Sequence, residues 1–233
     1  MSSSPEVDLR LEWCSYRAAK YAVEHWHYSH SLPVAKTVRI GVWEQGSFRG
    51  CIVFAWGANK NLAGSFGLRQ TQCAELARVA LREHVTPVSR IVSLALKMLK
   101  KQSSGLRLVV SYADTGQDHY GGIYQAGNWT YQGKVNTTPE HFIRGHWVRQ
   151  RTASSLLGSV TGTKRRPGSD KHKYVMPLDP AMRQQIAPLA KPYPKRGTGE
   201  TDSAPQSNAE TGGAGPTVPL LQLTGQTPRR AEG

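Results

Sequence analysis

The chain has 233 residues and a formal net charge of +14. That length suits one α/β domain with extensions. The cationic excess points to a polyanion, with nucleic acid first, a membrane surface second and a basic scaffold role third. The three cysteines, Cys14, Cys51 and Cys73, form no CxxC pair, which argues against a disulfide framework and fits a reducing cytosol best. The longest apolar run, Cys51 to Trp56, is far too short to cross a bilayer, and the opening residues MSSSPEVDLRLEW hold no signal-peptide core. No membrane association is expected.

In chain order, Ser15 to Trp26 reads as a helix with a partial apolar face from Tyr16, Ala19, Tyr21, Val23 and Trp26. It ends in the ring cluster His25-Trp26-His27-Tyr28, and Ser31-Leu32-Pro33 breaks the chain direction. A hairpin follows: Thr37 to Glu44, a turn at Gln45-Gly46-Ser47, and a return from Phe48 to Trp56. The stretch from Gly57 to Gln70 is expected to be a polar binding loop, too polar for the core.

Ala74 to Leu81 reads as a third strand. Thr86 as N-cap and Pro87 in the first turn predict the start of a long helix. Val88, Ile91, Val92, Ala95, Leu96 and Leu99 give its apolar face, and Gly105 closes it. Leu106 to Tyr112 is near-continuously apolar, as expected of a central strand. A short helix ends at Gly127, followed by a strand from Trp129 to Lys134 and one long strand from Phe142 to Arg151. Tyr174 to Leu178 supplies a last strand. From Lys195 onward Gly, Thr, Pro, Ser, Gln and Asn dominate, which predicts a disordered tail over 195–233. The expected division is a catalytic domain over 1–152, a basic extension over 153–194 packed on it, and that tail.

This order of elements resembles the GNAT acetyltransferase fold, an α/β (α+β) mixed central sheet with flanking helices. The run Ile123-Tyr124-Gln125-Ala126-Gly127-Asn128-Trp129 is similar to the GNAT pattern of a short tyrosine-bearing helix leading into a strand. The resemblance departs at one point. GNAT enzymes usually hold the coenzyme A pyrophosphate on a glycine-rich turn before the long helix. Here that turn is Arg82-Glu83-His84-Val85-Thr86-Pro87-Val88-Ser89, with no glycine and with one donor removed by Pro87.

Several strings resemble the Mom proteins of Mu-like phages. They are Trp26-His27-Tyr28-Ser29-His30-Ser31-Leu32-Pro33, Cys73 to Leu81, Thr86 to Arg90, Ser111-Tyr112-Ala113-Asp114, Gly122 to Trp129, and Lys171 to Leu178. They run in order and are specific together. The resemblance implies conversion of adenine in double-stranded DNA to N6-carbamoylmethyladenine, protection of phage DNA from host restriction, and work in the cytoplasm of the bacterial host. The implied donor carrier is an acyl-coenzyme A or a glycyl-tRNA. The second suggestion follows from the missing cradle, and from a carbamoylmethyl group having the atoms of a glycine unit.

Such chemistry needs a proton acceptor, charge stabilisation on the donor, and a way to hold an extruded base. Asp114, after a central strand, is the candidate general base; its bland alternative is a turn or helix cap. Tyr124 is the candidate acid, against a packed tyrosine. His27 and Tyr28 suit base stacking or proton transfer, against an aromatic cluster closing a helix. Arg78 sits inside an apolar strand, where an unpaired charge is costly. Strict alternation puts it on the face of Leu76 and Ala80, either paired with Glu75 or Asp114 or aimed at the site. Ser89 opens the long helix where GNAT folds bind donors, and is otherwise a solvated hydroxyl. His25, His27 and His30 are too weak a pattern to assign a zinc site; no metal is assigned, and iron stays open. Arg144, Arg149, Arg151, Lys164, Arg165, Arg166, Lys171 and Lys173, opposed by Asp170 and interleaved with Trp147 and Tyr174, are the expected DNA contacts. Two other functions compete: a conventional acetyl-coenzyme A-dependent N-acetyltransferase, and a non-catalytic DNA-binding protein on the same scaffold.

Overall fold

The computed structural model describes residues 8–56, 61–135 and 138–195, with the side chains of residues 149, 151, 152 and 155 left aside. The expected tail falls outside the described residues, except for Lys195. The chain opens with β1 (Leu9–Trp13), an edge strand that the pattern of apolar residues did not reveal. Helix α1 (Tyr16–Trp26) follows, its first turn capped by the Ser15 hydroxyl accepting the Ala18 N–H. β2 (Thr37–Glu44) and β3 (Ser47–Ala55) form the predicted hairpin. Its two-residue turn places Gln45 and Gly46 at φ 50° and 72°, the paired positive angles that match strand twist.

β4 (Cys73–Leu81) pairs antiparallel with β3, and α2 (Val88–Gln102) crosses to β5 (Leu108–Asp114), which lies parallel to β4. The residue flanking α2 is Pro87, which makes no side-chain cap, so the expected cap from Thr86 is not formed. α3 (Gly122–Ala126) leads into β6 (Thr130–Val135). The stretch read as one strand from Phe142 to Arg151 is instead a hairpin, β7 (Glu140–Ile143) and β8 (His146–Arg149), followed by α4 (Gln150–Leu157). Arg144 and Gly145, at φ 51° and 87°, turn the chain where alternation alone read straight through. The short β9 (Arg165–Arg166) joins β7 in this three-stranded insert. β10 (Lys171–Pro177) then re-enters the main sheet, and α5 (Pro180–Ile186) closes the fold.

The main sheet has the order β1-β2-β3-β4-β5-β10-β6. It is a mixed sheet with helices on both faces, as the order of elements led us to expect. The stretch 153–194 is divided: β9 belongs to the insert, whereas β10 lies inside the main sheet between β5 and β6. One face packs Ile91, Val92, Ala95, Leu96 and Leu99 of α2 against Ile40, Val42, Ile52, Phe54 and Val109. The other face holds α1, through Ala19, Ala22 and Val23 on Cys51, Val53 and Ala80. A second cluster on that face packs Leu62, Ala63, Phe66 and Leu68 with Met182 and Ile186 against Leu108, Val110 and Val175. The expectation that the loop up to Gln70 is too polar for the core is therefore corrected over its second half. Leu62 and Ala63 precede the 3-10 turn Gly64–Phe66 and Leu68 follows it, and together with Phe66 they dip into the sheet. Gly57 to Lys60 lie outside the described residues. No helix among the described residues is long and apolar enough to cross a membrane.

Candidate functional site

Two breaks in regular pairing shape the site. β4 and β5 are in register only from Cys73–Leu108 to Glu75–Val110. Beyond that point β4 bulges: Val53 pairs with Arg78 and Phe54 with Leu76, so Ala77 is the extra residue. The bulge overturns strict alternation along β4. Leu76 packs with α2, whereas Ala80, and with it Arg78, faces α1.

At the apex of the split between β4 and β5, the buried Ser111 hydroxyl lies 2.8 Å from both the Leu76 carbonyl oxygen and the Tyr124 hydroxyl. The carbonyl can only accept. Ser111 therefore gives its single proton to Leu76, and Tyr124 donates to Ser111. The Tyr124 ring is stacked on Tyr174 at 5.0 Å and meets Trp129 edge-on. Burial pushes its hydroxyl up to about 12. It is a protonated phenol inside the core, on the α2 face.

Asp114 leaves the end of β5 toward the opposite face. Side chains alternate along β5, and Val109 and Ala113 pack with α2 while Leu108 and Val110 pack with α5. Asp114 continues the second set. Its Oδ1 accepts the Gly116 N–H at 3.0 Å and the Ser169 hydroxyl at 2.5 Å, and Lys171 Nζ lies 3.2 Å from Oδ2. Burial pushes the carboxyl up, but the Ser169 hydrogen bond, the Lys171 charge and the Gly116 amide outweigh it and hold the group below its ordinary range. Asp114 is thus an ionised carboxylate on a fixed mount. The turn-and-cap alternative is also realised, since its Gly116 contact caps the 3-10 turn Thr115–Gln117.

A cavity of about 460 Å³ opens beside it, lined by Tyr28, Asp114, Gln117, Glu140, Arg166 and Ser169 among others. Tyr28, 43% exposed, stacks on His27 at 4.4 Å and meets His119 edge-on at 5.4 Å. The His27 Nδ1 accepts the Ser29 N–H at 3.1 Å, which places the proton of the neutral ring on Nε2. Burial, then the charges of Arg78 and of His119 and His30, lower its pKa to about 3. Arg78 donates from Nε to the Ser31 carbonyl at 3.0 Å and from Nη1 to the Ala77 carbonyl at 2.7 Å. It ties the loop carrying His27 and Tyr28 to the β4 bulge.

The cavity therefore unites Asp114 and Tyr28 with Arg166 of the basic segment. Arg78 and His27 support the loop behind Tyr28. Tyr124 and Ser89 do not line the cavity: Tyr124 faces α2, and Ser89 sits half-buried in the first turn of that helix. Of the expected DNA contacts, Arg144, Lys164, Arg165 and Arg166 are exposed on the insert. Lys171 belongs to the Asp114 mount, and Lys173 lies with Nζ 4.5 Å from the Phe66 ring centroid, its pKa lowered by burial. The Arg149 and Arg151 side chains lie outside the described residues. Sequence reading passed over Ser169, Glu140 and Gly116, because each reaches the site only through the return of the insert or a local turn. His25, His27 and His30 do not converge, and no group of three metal-ligating side chains is found among the described residues.

The turn before α2 is already occupied. Glu44, 1% exposed, accepts the backbone N–H groups of Val85 and Thr86 at 2.7 Å each. Burial raises its carboxyl, but these bonds outweigh that and hold it below its ordinary range. Pro87 lacks an N–H, and the Val85 and Thr86 amides are committed to an internal carboxylate, which would also repel an incoming anion. Val85, Thr86 and Pro87 therefore offer no backbone donor to a coenzyme A pyrophosphate.

A sequence model of the Mom protein family matches residues 8–195. The methylcarbamoylase Mom of Escherichia phage Mu is 24% identical over 204 residues, covering 81% of this chain and 84% of that protein. Among solved structures, a GNAT-family acetyltransferase from Streptococcus pneumoniae superposes with a TM-score of 0.45 at 10% identity, covering 73% of this chain and 100% of that one. The spermidine/spermine N-acetyltransferase of Vibrio cholerae does so with a TM-score of 0.42 at 10% identity, covering 77% and 96%. Identities this low say nothing about this chain's substrate.

Proposed function

The chain belongs to the Mom protein family, and from that premise we propose that it is a transferase acting on adenine in double-stranded DNA. The product is N6-carbamoylmethyladenine, which shields phage DNA from host restriction enzymes. The observation that carries this reading is the cavity uniting the Asp114 carboxylate, the Tyr28 ring and the cationic insert. Its volume lies within the span of small-ligand pockets, about 300–1,000 Å³. Duplex DNA supplies the polyanion that the insert suits, and an extruded adenine supplies a ring for Tyr28.

The adenine N6 lone pair is delocalised into the ring, so N6 attacks only if its proton is drawn off as the N6–C bond forms. Asp114 is ionised and accepts a hydrogen bond from the N6–H. A carboxylate held this low is a weak base in the ground state. It takes the proton only as bonding to carbon acidifies N6, and Lys171 and Ser169 keep it aimed until then. For the donor, the Val85 and Thr86 amides committed to Glu44 weigh against an acyl-coenzyme A gripped by its pyrophosphate; with a glycyl-tRNA, attack of N6 on the ester carbon releases the tRNA hydroxyl and gives the N6-glycyl isomer, which must then isomerise to the carbamoylmethyl product. Loss of product on depletion of charged glycine tRNA tests that choice, and undiminished product sinks it.

Nucleoside mass spectrometry of DNA from bacteria expressing the chain, beside Asp114→Ala, tests the function. Deoxyadenosine heavier by one C2H3NO unit is expected with the intact chain alone. Unmodified nucleosides with a folded protein would overturn it. The competing N-acetyltransferase reading requires a thermal shift with acetyl-coenzyme A. The scaffold reading requires that Asp114→Ala leave the biological effect intact.

A further inference from the structure

The three-stranded insert has one covered face and one open face. On β7, His141 and Ile143 are buried while Phe142 is exposed. Phe142 lies directly across from Trp147 in the β7–β8 register, with ring centroids 5.3 Å apart. They are 40% and 37% exposed. Glu140 pairs in register with Arg166 of β9, and its Oε2 accepts from Arg166 Nε at 2.8 Å and Nη2 at 2.7 Å. This holds the guanidinium carbon 4.5 Å over the Trp147 ring centroid. Glu140 and Arg166 also line the Asp114 cavity. The open face is therefore continuous with the cavity mouth.

We propose that Arg166, backed by Trp147 and flanked by Phe142, is a stacking platform for an unpaired nucleobase of DNA at the mouth of the Asp114 cavity. The proposal rests on the DNA reading above and names the part of the chain that keeps the duplex open. Two adjacent large rings left facing water call for a partner. The exposed cations around them, Arg144 at the hairpin turn with Lys164 and Arg165, select a polyanion over an apolar protein surface. Aromatic rings and guanidinium planes are the surfaces on which unstacked bases settle, whatever their sequence. A strand whose adenine enters the cavity lays its neighbouring base across Arg166. That base is then unable to restack, and the duplex stays open.

The test uses the full chain with Phe142→Ala/Trp147→Ala, a Phe142→Leu/Trp147→Leu double that keeps apolar packing, and Trp147→Phe. Tryptophan fluorescence is titrated with a short single-stranded DNA. Product is measured on a paired duplex and on one with the target adenine opposite an abasic site. A quench in the intact chain that Trp147→Phe removes is expected. Both double variants should lose roughly tenfold or more product on the paired duplex, as for loss of about 1–3 kcal/mol of stacking per base. Their loss on the pre-opened target should be at least about fivefold smaller than on the paired duplex. Equal loss on both DNAs, or a quench indifferent to Trp147, overturns the platform. A Trp147-dependent quench with a stem–loop RNA but not with DNA also overturns it. If the intact chain quenches through Trp147 yet modifies neither DNA, the platform stands and the modification reading falls.

Discussion

The Glu44 carboxylate accepts the Thr86 backbone N–H at 2.7 Å, joining the end of β2 to the turn ahead of α2 across 42 residues of sequence. One internal anion fills the place where the resemblance to acetyltransferases would put an external one. Glu44→Ala strands the buried Thr86 amide, which costs about 1–3 kcal/mol, and returns the Val85 amide of an exposed residue to water. A chemical-denaturation midpoint should fall accordingly. If Glu44→Gly or Glu44→Ala instead gained a thermal shift with coenzyme A that the intact chain lacks, blockage of the turn would be shown directly. An intact chain that itself binds coenzyme A through this turn would overturn the assignment.

The Glu44 contact also sets an acid limit. Its pKa is lower folded than unfolded, so its contribution is complete above the unfolded value and is lost as pH falls through the folded one. Asp114 has the same sign. Unfolding free energy should decline below the ordinary carboxylate range, and less steeply in Glu44→Gln. Identical acid limbs in the two proteins would refute the role of Glu44.

Asp114→Asn should lower modification by about 100-fold or more, as for loss of a positioned proton acceptor. The fold should persist, since the amide oxygen can still accept from Gly116 and Ser169. Paired measurements of product yield and thermal midpoint decide the matter. Full activity in the asparagine variant would remove Asp114 from the chemistry.

His27, with a pKa lowered to about 3, is neutral throughout the physiological range. The pH profile of modification should carry no limb that disappears in His27→Gln. In stability the unfolded chain binds this proton below about 6.5 and the folded chain only near 3, so protonation favours unfolding as pH falls between them. The stability gap between the intact chain and His27→Gln should narrow from pH 6.5 downward. A constant gap would show that His27 titrates normally in the fold.

Arg78→Ala should free the loop carrying Tyr28, because it removes the guanidinium bond to Ser31. A hydrogen bond to a charged group is worth about 1.5–3 kcal/mol. Amide exchange over residues 28–34 should accelerate by one to two orders of magnitude, roughly that energy expressed as a rate. Unchanged exchange would mean the loop is held by other contacts.

Hydropathy periodicity was enough for α1, α2, the β2–β3 hairpin and the central β5, because each buries a face at a fixed spacing. It missed β1, a five-residue edge strand with few buried side chains. It merged β7 and β8, because a turn resting on positive φ at Arg144 leaves little trace in hydropathy. Asp114, Tyr28 and His27 were visible as a polar, ring-rich pattern strengthened by the family resemblance. The separation of Asp114 and Tyr124 onto opposite faces of the sheet was not.

The sequence by itself determined α1, the β2–β3 hairpin, β4, α2 and β5 in their order, the resemblance to the family, and the concentration of positive charge toward the end of the folded region, all of them properties of neighbouring residues or of composition. Only the tertiary structure decided that Glu44 fills the turn before α2, that Ala77 bulges and turns Arg78 toward α1, and that Ser169, Lys171 and Arg166 arrive beside Asp114 from the returning insert. These relations join residues far apart in the chain. They are fixed by strand register and by the need to satisfy buried polar groups, which no local spacing records.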